Sequence, residues 1–160
     1  MTGPTPIGGE SEVVVTRIFN APQALVFAFW TVPEHLATWW GPDGFSLPPQ
    51  DVVVERRIGG RYQLHLVEHA TGAEVWVHGE IVEYAEPELL AIQMAVPRPI
   101  GLPPMKTLVR VQFDDLGDKT RVTLRQGPFT TDEQREQTTA GWGQSFDKLD
   151  RILIAGHPTN

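Results

Sequence analysis

The stretch Trp39-Trp40-Gly41-Pro42 decides the fold of this 160-residue chain, because of the elements that flank it. Before it, the β-branched segment 12–19 predicts a strand, and two short apolar segments predict helices, the second ending at Gly41. After it, short strands are predicted between turn residues, the first of them from about residue 51 to residue 56, and a long amphipathic helix is predicted near the end. This order indicates an α+β protein in which a curved antiparallel sheet surrounds the long helix and leaves an internal cavity.

Composition and length exclude several classes of protein. At 160 residues we expect one domain over 12–155, with a flexible lead at 1–11 and a tail at 156–160. The net charge of -7 disfavours nucleic acid and anionic membranes as partners, and no apolar run reaches the roughly 20 residues of a membrane span. The absence of cysteine excludes a disulfide and a thiolate metal ligand, and it fits a cytoplasmic location.

The terminal helix is the best-supported element of the sequence. Thr130 and Thr131 each stand three positions before Glu133 and Gln134, the spacing of a capping box. One apolar stripe follows at helical spacing, formed by Trp142, Phe146, Leu149 and Leu153. Gly141 and Gly143 lie inside this helix, where each costs about 1 kcal/mol relative to Ala. Two interpretations stay open, namely close packing of the helix on the sheet and room for a ligand beside the Trp142 indole.

Several short motifs occur along the chain in a family-specific order. They are Arg17-x-Phe19-x-Ala21-Pro22, Trp39-Trp40-Gly41-Pro42, Gly59-Gly60-Arg61, Gly79-Glu80-Ile81-x-Glu83 with Pro87-Glu88-Leu89-Leu90, and Gly141-Trp142 before Leu149-Asp150-Arg151-Ile152-Leu153. Together they resemble the bacterial homologues of the heat-shock protein 90 ATPase activator's C-terminal domain, in the START/polyketide-cyclase/birch-allergen superfamily. The resemblance covers about residues 12 to 154 and implies a helix-grip fold, with a pocket between the sheet and the terminal helix.

The resemblance leaves the activity open. The superfamily contains carriers, cyclases and chaperone regulators, and fold does not imply function. Relatives often carry a histidine near the end of the last strand, where this chain has Gln126-Gly127-Pro128-Phe129. Any role that this imidazole has in relatives is therefore in doubt here.

The segment His65-Leu66-Val67-Glu68-His69 matches an H-x-x-E-H zinc motif. Such a site needs both histidines on one face of a helix. Here Tyr62, Leu64 and Leu66 alternate with polar residues, which predicts a strand. Two histidines four residues apart on a strand would be about 13 Å from each other, too far for one ion. We therefore expect neither a metal nor a cofactor.

His78 is predicted to lie in the middle of a strand. It shares a strand face with Trp76 and Glu80. Two interpretations stay open: a hydrogen-bonded sheet histidine, or a polar group of the pocket that acts as a general base paired with Glu80. The three serines, Ser11, Ser46 and Ser145, lack the surroundings of a catalytic nucleophile.

The aromatic content favours binding of a small, largely apolar molecule. Five Trp and seven Phe occur, several on the elements that should bound the cavity. The candidate ligand-binding residues are Phe29, Trp40, Phe45, Tyr62, Leu64, Trp76, His78, Met94, Val111, Phe113, Trp142, Gly143 and Phe146. The alternatives are a cyclase or aromatase-like enzyme for a polyketide-type substrate, with His78 and Glu80 as catalytic candidates, and a regulator of a chaperone ATPase. A homodimer also stays open.

Overall fold

The computed structural model describes residues 11–99 and 104–156. Apart from Ser11 and Gly156, the expected lead and tail lie outside these ranges, as do residues 100–103. Within the described ranges, no helix has the length and apolar character that crossing a membrane requires.

One antiparallel sheet forms the centre of the described structure. Its strands are β1 (Val13–Phe19), β2 (Phe45–Ser46), β3 (Val53–Val54), β4 (Arg61–Glu68), β5 (Glu74–Ala85), β6 (Leu89–Val96), β7 (Met105–Asp115) and β8 (Thr120–Gly127). The spatial order is β1-β8-β7-β6-β5-β4-β2, and β3 pairs with β4. The helices are α1 (Gln23–Thr31), α2 (Pro33–Leu36) and α3 (Asp132–Gly156). The expected α+β helix-grip fold, a curled sheet with a long C-terminal helix, is confirmed.

The region between α2 and β4 differs most from the sequence prediction. A strand was expected from about residue 51 to residue 56, but a 3-10 turn occupies Pro49–Asp51 and β3 spans only Val53–Val54. A tight turn replaces the rest, since the Arg57 N–H donates to Glu55 O and the Gly60 N–H donates to Arg57 O. α2 also ends early, at Leu36, so that the two tryptophans follow it in a turn.

Alternation along the strands divides the sheet into a concave and a convex face. In β5, Val77 and Ile81 are buried, whereas His78 and Glu80 are exposed. The same alternation holds in β7, where Val109, Val111 and Phe113 are buried and Arg110 and Gln112 are exposed. Successive side chains of a strand point to opposite faces, so the buried apolar residues of β5 and of β7 share the concave face.

The long helix α3 begins and packs as its sequence predicts. The Gln134 N–H donates to Thr131 Oγ1 over 3.0 Å, which caps the first turn. The apolar stripe is buried along its whole length, from Trp142 and Phe146 to Leu149 and Leu153. Trp142 stacks on Trp30 of α1 with ring centroids 5.6 Å apart. Aromatic contacts of this kind fix the position of α3 over the sheet.

Candidate functional site

A cavity of about 250 Å³ lies between α3 and the concave face of the sheet. Apolar side chains of β4, β5, β6 and β7 form its floor, and the turn after α2 and one face of α3 form its sides. The lining residues are Trp40, Gly41, Pro42, Phe45, Leu66, Val75, Val77, Met94, Val96, Pro99, Met105, Thr107, Gln126, Gln137, Thr138, Gly141, Trp142 and Ser145. None of these described lining residues carries a charge.

The Trp-Trp-Gly-Pro turn is bonded directly to α3. The Gly41 N–H donates to Ser145 Oγ over 3.1 Å, and Ser145 Oγ lies 2.9 Å from both Gly41 O and Gly141 O, so that its single proton has two acceptors. Two residues after Gly41, the Asp43 N–H donates to Gln144 Oε1 over 2.8 Å. Ser145 therefore has a structural role: it fixes the turn that contains Gly41, one side of the cavity, to α3.

Gly41 is required by the conformation of this turn. Its backbone has a φ of +105°, which residues with a Cβ rarely adopt, and a Cβ built at this position would lie 3.0 Å from Leu66 Cδ2. The turn also separates the two adjacent tryptophans. Trp39 is fully buried and donates its indole N–H to Phe29 O over 2.9 Å, whereas Trp40 lines the cavity.

One polar patch interrupts the apolar wall. Trp142 Nε1–H donates to Gln126 Oε1 over 2.7 Å, and Gln126 Nε2–H donates to Thr107 Oγ1 over 2.8 Å. Both Gln126 and Thr107 are more than nine-tenths buried. In the sequence, Gln126 stands out only as a departure from relatives, and Thr107 was not predicted as a site residue. A signal existed, because Gln126 has the same strand parity as the apolar residues Val122 and Leu124 of β8.

The two glycines of α3 differ in their relation to the cavity. Gly141 lines it, whereas Gly143, the predicted binding residue, is not among the lining residues. A Cβ built on either glycine would meet no atom within 4 Å outside its immediate neighbours. Close packing of helix against sheet therefore does not explain either glycine, and the space beside Gly141 belongs to the cavity.

Four residues predicted to bind a ligand line the cavity: Trp40, Phe45, Met94 and Trp142. Six others are buried in the core and are not among the lining residues: Phe29, Tyr62, Leu64, Val111, Phe113 and Phe146.

Side chains of α1 fill the part of the concave face where several of these core residues lie. Phe113 contacts the rings of Phe27 and Trp30 at centroid distances of 5.1 and 6.0 Å. The Tyr62 hydroxyl donates to Trp30 O over 2.7 Å, and burial raises the pKa of this phenol far above its ordinary value. The cavity is consequently confined to the part of the face that α1 leaves uncovered.

Trp76, His78 and Glu80 lie on the convex face, away from the cavity, in contrast to the expectation that Trp76 and His78 line it. The reason is the parity of β5, in which Val75 and Val77 contribute to the lining. His78 and Glu80 are exposed on the opposite face. The structure therefore does not bring the predicted acid–base pair to the cavity.

His65, the first histidine of the H-x-x-E-H segment, lies on the convex side of the sheet. His65 Nδ1 lies 3.0 Å from Asp51 Oδ2, its Nε2 lies 2.7 Å from Glu74 Oε1, and its ring stacks on Trp76 at 4.0 Å. Both ring nitrogens are thus occupied by carboxylates, while His69 is exposed. Across the described ranges, no group of three or more His, Asp or Glu side chains is arranged to hold a metal ion.

A second, polar groove of about 640 Å³ lies beside the β7–β8 hairpin. Its two arginines already have carboxylate partners: Arg110 pairs with Glu83 at 3.4 Å and Arg121 with Asp114 at 3.1 Å. Among its described lining residues the groove therefore offers no unpaired cation to an anionic ligand, and the cavity under α3 is the stronger candidate site.

A sheet that grips a C-terminal helix over an apolar cavity defines a helix-grip protein. The family described as Activator of Hsp90 ATPase homolog 1-like protein matches residues 20–153, and the chain belongs to this family. The comparison with curated proteins found no match.

Solved bacterial structures share the fold. The AHSA1 protein from Silicibacter pomeroyi is 21% identical with a TM-score of 0.79, covering 91% of this chain and 99% of its own. A protein from Chromobacterium violaceum is 20% identical with a TM-score of 0.77, covering 88% and 96%. A Nitrosomonas europaea protein is 23% identical with a TM-score of 0.75, covering 95% and 99%. At these identities the likeness concerns the fold alone.

Proposed function

We propose that this protein binds a small, largely apolar molecule in the cavity between α3 and the concave face of the sheet. The observation that carries the proposal is an apolar cavity of about 250 Å³ whose described lining has no charged residue. An apolar cavity of roughly 150 Å³ already takes up benzene, and drug-sized ligands occupy roughly 300–1,000 Å³. The size of this cavity therefore favours a molecule of one or two rings.

The walls suit a flat ring. Trp40 and Trp142 meet edge to face, with ring centroids 5.6 Å apart and an interplanar angle of 83°. A ligand ring placed in this corner would contact the face of one indole and the edge of the other, both favourable arrangements for aromatic pairs. Transfer of its apolar surface from water would contribute about 25 cal/mol per Å² buried.

Titration with indane, tetralin and naphthalene tests the proposal. We expect saturable quenching or enhancement of tryptophan fluorescence and a raised melting temperature, because a ligand that binds only the folded state stabilises it. Gly141→Leu, at the cavity lining, should abolish binding, and Gly143→Leu, outside the lining, is its matched control. Flat responses of the wild-type protein to all three compounds would contradict the proposal.

Binding is favoured over catalysis by the composition of the cavity wall. A cyclase or aromatase-like enzyme would use acid–base residues beside its substrate. The described lining contains no Asp, Glu, His, Lys or Arg, and the pair His78 and Glu80 lies on the other face of the sheet. No observation in the described structure favours the enzymatic alternative.

Regulation of a chaperone ATPase is a second candidate function, favoured by the family description. The test compares the ATPase rate of a purified heat-shock protein 90 homologue with and without this protein. A changed rate together with co-elution would support the role, and an unchanged rate without co-elution would contradict it. The cytoplasmic location expected from the sequence stays a prediction, and a homodimer stays open.

A further inference from the structure

The polar patch of the cavity has a defined hydrogen-bond direction. An indole nitrogen can only donate, so the Trp142 Nε1–H fixes which end of the Gln126 amide is its oxygen. The amide nitrogen must then face Thr107, at 2.8 Å from Oγ1. Thr107 Oγ1 is therefore the acceptor in this contact, and its own proton is not used in it.

The Thr107 hydroxyl proton has no acceptor within the described structure. Thr107 lines the cavity and is 3% exposed. The indole Nε1 of Trp40, another residue of the lining, is likewise buried without a hydrogen-bond partner among the described residues. Leaving a buried donor unsatisfied is unfavourable, so the Thr107 hydroxyl favours a ligand that supplies an acceptor.

Ser145 is another polar residue of the cavity lining. Its hydroxyl is bound to the backbone of Gly41 and Gly141 and is not available. The described lining also lacks a cation that could pair with a buried carboxylate or phosphate. An anion buried here would lose its hydration without gaining a partner of opposite charge, a larger cost than that of burying a neutral acceptor that receives one hydrogen bond.

We infer that the cavity recognises a neutral, one- or two-ring molecule bearing a carbonyl oxygen, which accepts a hydrogen bond from the Thr107 hydroxyl. This assignment rests on the proposed binding function and specifies the chemical class of its ligand. The ring system occupies the apolar part of the cavity, between the Trp40–Trp142 corner and the floor formed by β4 to β6. The carbonyl oxygen faces the polar patch at β7 and β8.

Three matched probes separate the carbonyl from the ring system: 1-tetralone, tetralin and 1,2,3,4-tetrahydronaphthalene-1-carboxylate. Calorimetry measures their dissociation constants for the wild-type protein, for Thr107→Val and for Thr107→Ser. We expect the preference for 1-tetralone over tetralin to fall about three- to tenfold in Thr107→Val, the effect of one hydrogen bond, and to return in Thr107→Ser. The carboxylate should bind the wild-type protein at least about tenfold more weakly than 1-tetralone.

The infrared carbonyl stretch of bound 1-tetralone provides a readout in the wild-type protein, independent of how any variant folds. A frequency lower than that in cyclohexane is expected. Binding of both neutral probes with an unshifted carbonyl frequency, or with a preference that Thr107→Val leaves unchanged, would overturn the inference and leave the proposed binding function standing. Equal binding of the carboxylate would also overturn it. Failure of both neutral probes to bind would overturn the inference and the proposed function together.

Discussion

Trp142 of α3 donates its indole N–H to Oε1 of Gln126 at the end of β8, over 2.7 Å. This hydrogen bond joins the gripped helix to the sheet at the wall of the cavity. In this chain the amide of Gln126 takes a fixed orientation, with its oxygen towards the helix and its nitrogen towards β7.

Replacing Trp142 with Phe should leave the Gln126 oxygen without a partner in a buried position. We expect a loss of about 1–3 kcal/mol in the free energy of unfolding, measured by urea denaturation. The double variant Trp142→Phe/Gln126→Met removes both partners, and its loss should be smaller than the sum of the two single losses. Strictly additive losses would show that the hydrogen bond contributes little.

The two helix glycines should respond differently to the same substitution. Gly141→Leu and Gly143→Leu should each raise helix propensity by about 0.8 kcal/mol, since neither Cβ meets an atom within 4 Å. We expect equal or higher melting temperatures for both variants. Tetralin binding should be lost only in Gly141→Leu, whose side chain enters the cavity. Equal loss of tetralin binding in both variants would contradict a specific role of Gly141 and would show that any Leu at these positions of α3 disturbs the cavity.

Ser145→Ala should loosen the turn that carries Trp40. The substitution removes the acceptor of the Gly41 N–H, a buried group, and we expect a cost of about 1–2 kcal/mol in the free energy of unfolding. Ser46, exposed on β2, offers the matched control, and Ser46→Ala should stay within about 0.5 kcal/mol of the wild-type protein. Indistinguishable urea midpoints for the two variants would contradict this role of Ser145.

Gly60→Ala should be strongly destabilising. A Cβ at this position would lie 2.0 Å from Glu55 O and 2.9 Å from Arg57 O, both backbone atoms of the turn before β4. Because the turn backbone itself must move, we expect a loss of about 3 kcal/mol or more. Gly143→Ala, on the open side of α3, should be neutral or stabilising. Thermal denaturation of the two variants checks the contrast, and similar melting temperatures would contradict it.

His78→Ala tests the separation of the two sheet faces. Since His78 is exposed on the convex face, the substitution should leave tetralin affinity unchanged and should alter the free energy of unfolding by less than about 0.5 kcal/mol. Fluorescence titration and urea denaturation measure the two quantities. A tenfold loss of tetralin affinity would contradict this placement and would show that His78 takes part in binding.

Much of the fold could be predicted because its signals are local. Residues three or four apart on a helix share a face, so the stripe from Trp142 to Leu153 identified α3 without knowledge of its partner. Alternation in β7 and β8 identified strands in the same way. Local patterns failed between α2 and β4, where the short pairing of β3 with β4 depends on a turn closed by Glu55 and Arg57.

The candidate site was only partly predictable, because it depends on which face of each element is turned inward and on what else fills the space. Both faces of β5 carry large apolar side chains, Trp76 on one and Val77 on the other, so its composition alone does not distinguish inside from outside. The sequence by itself determined the longer strands, the long helix and the requirement for an aromatic interior. Only the tertiary structure decided where the cavity lies, since α1 covers part of the concave face. Contacts between residues distant in the chain then bring Thr107, Gln126 and Trp142 together at the remaining opening.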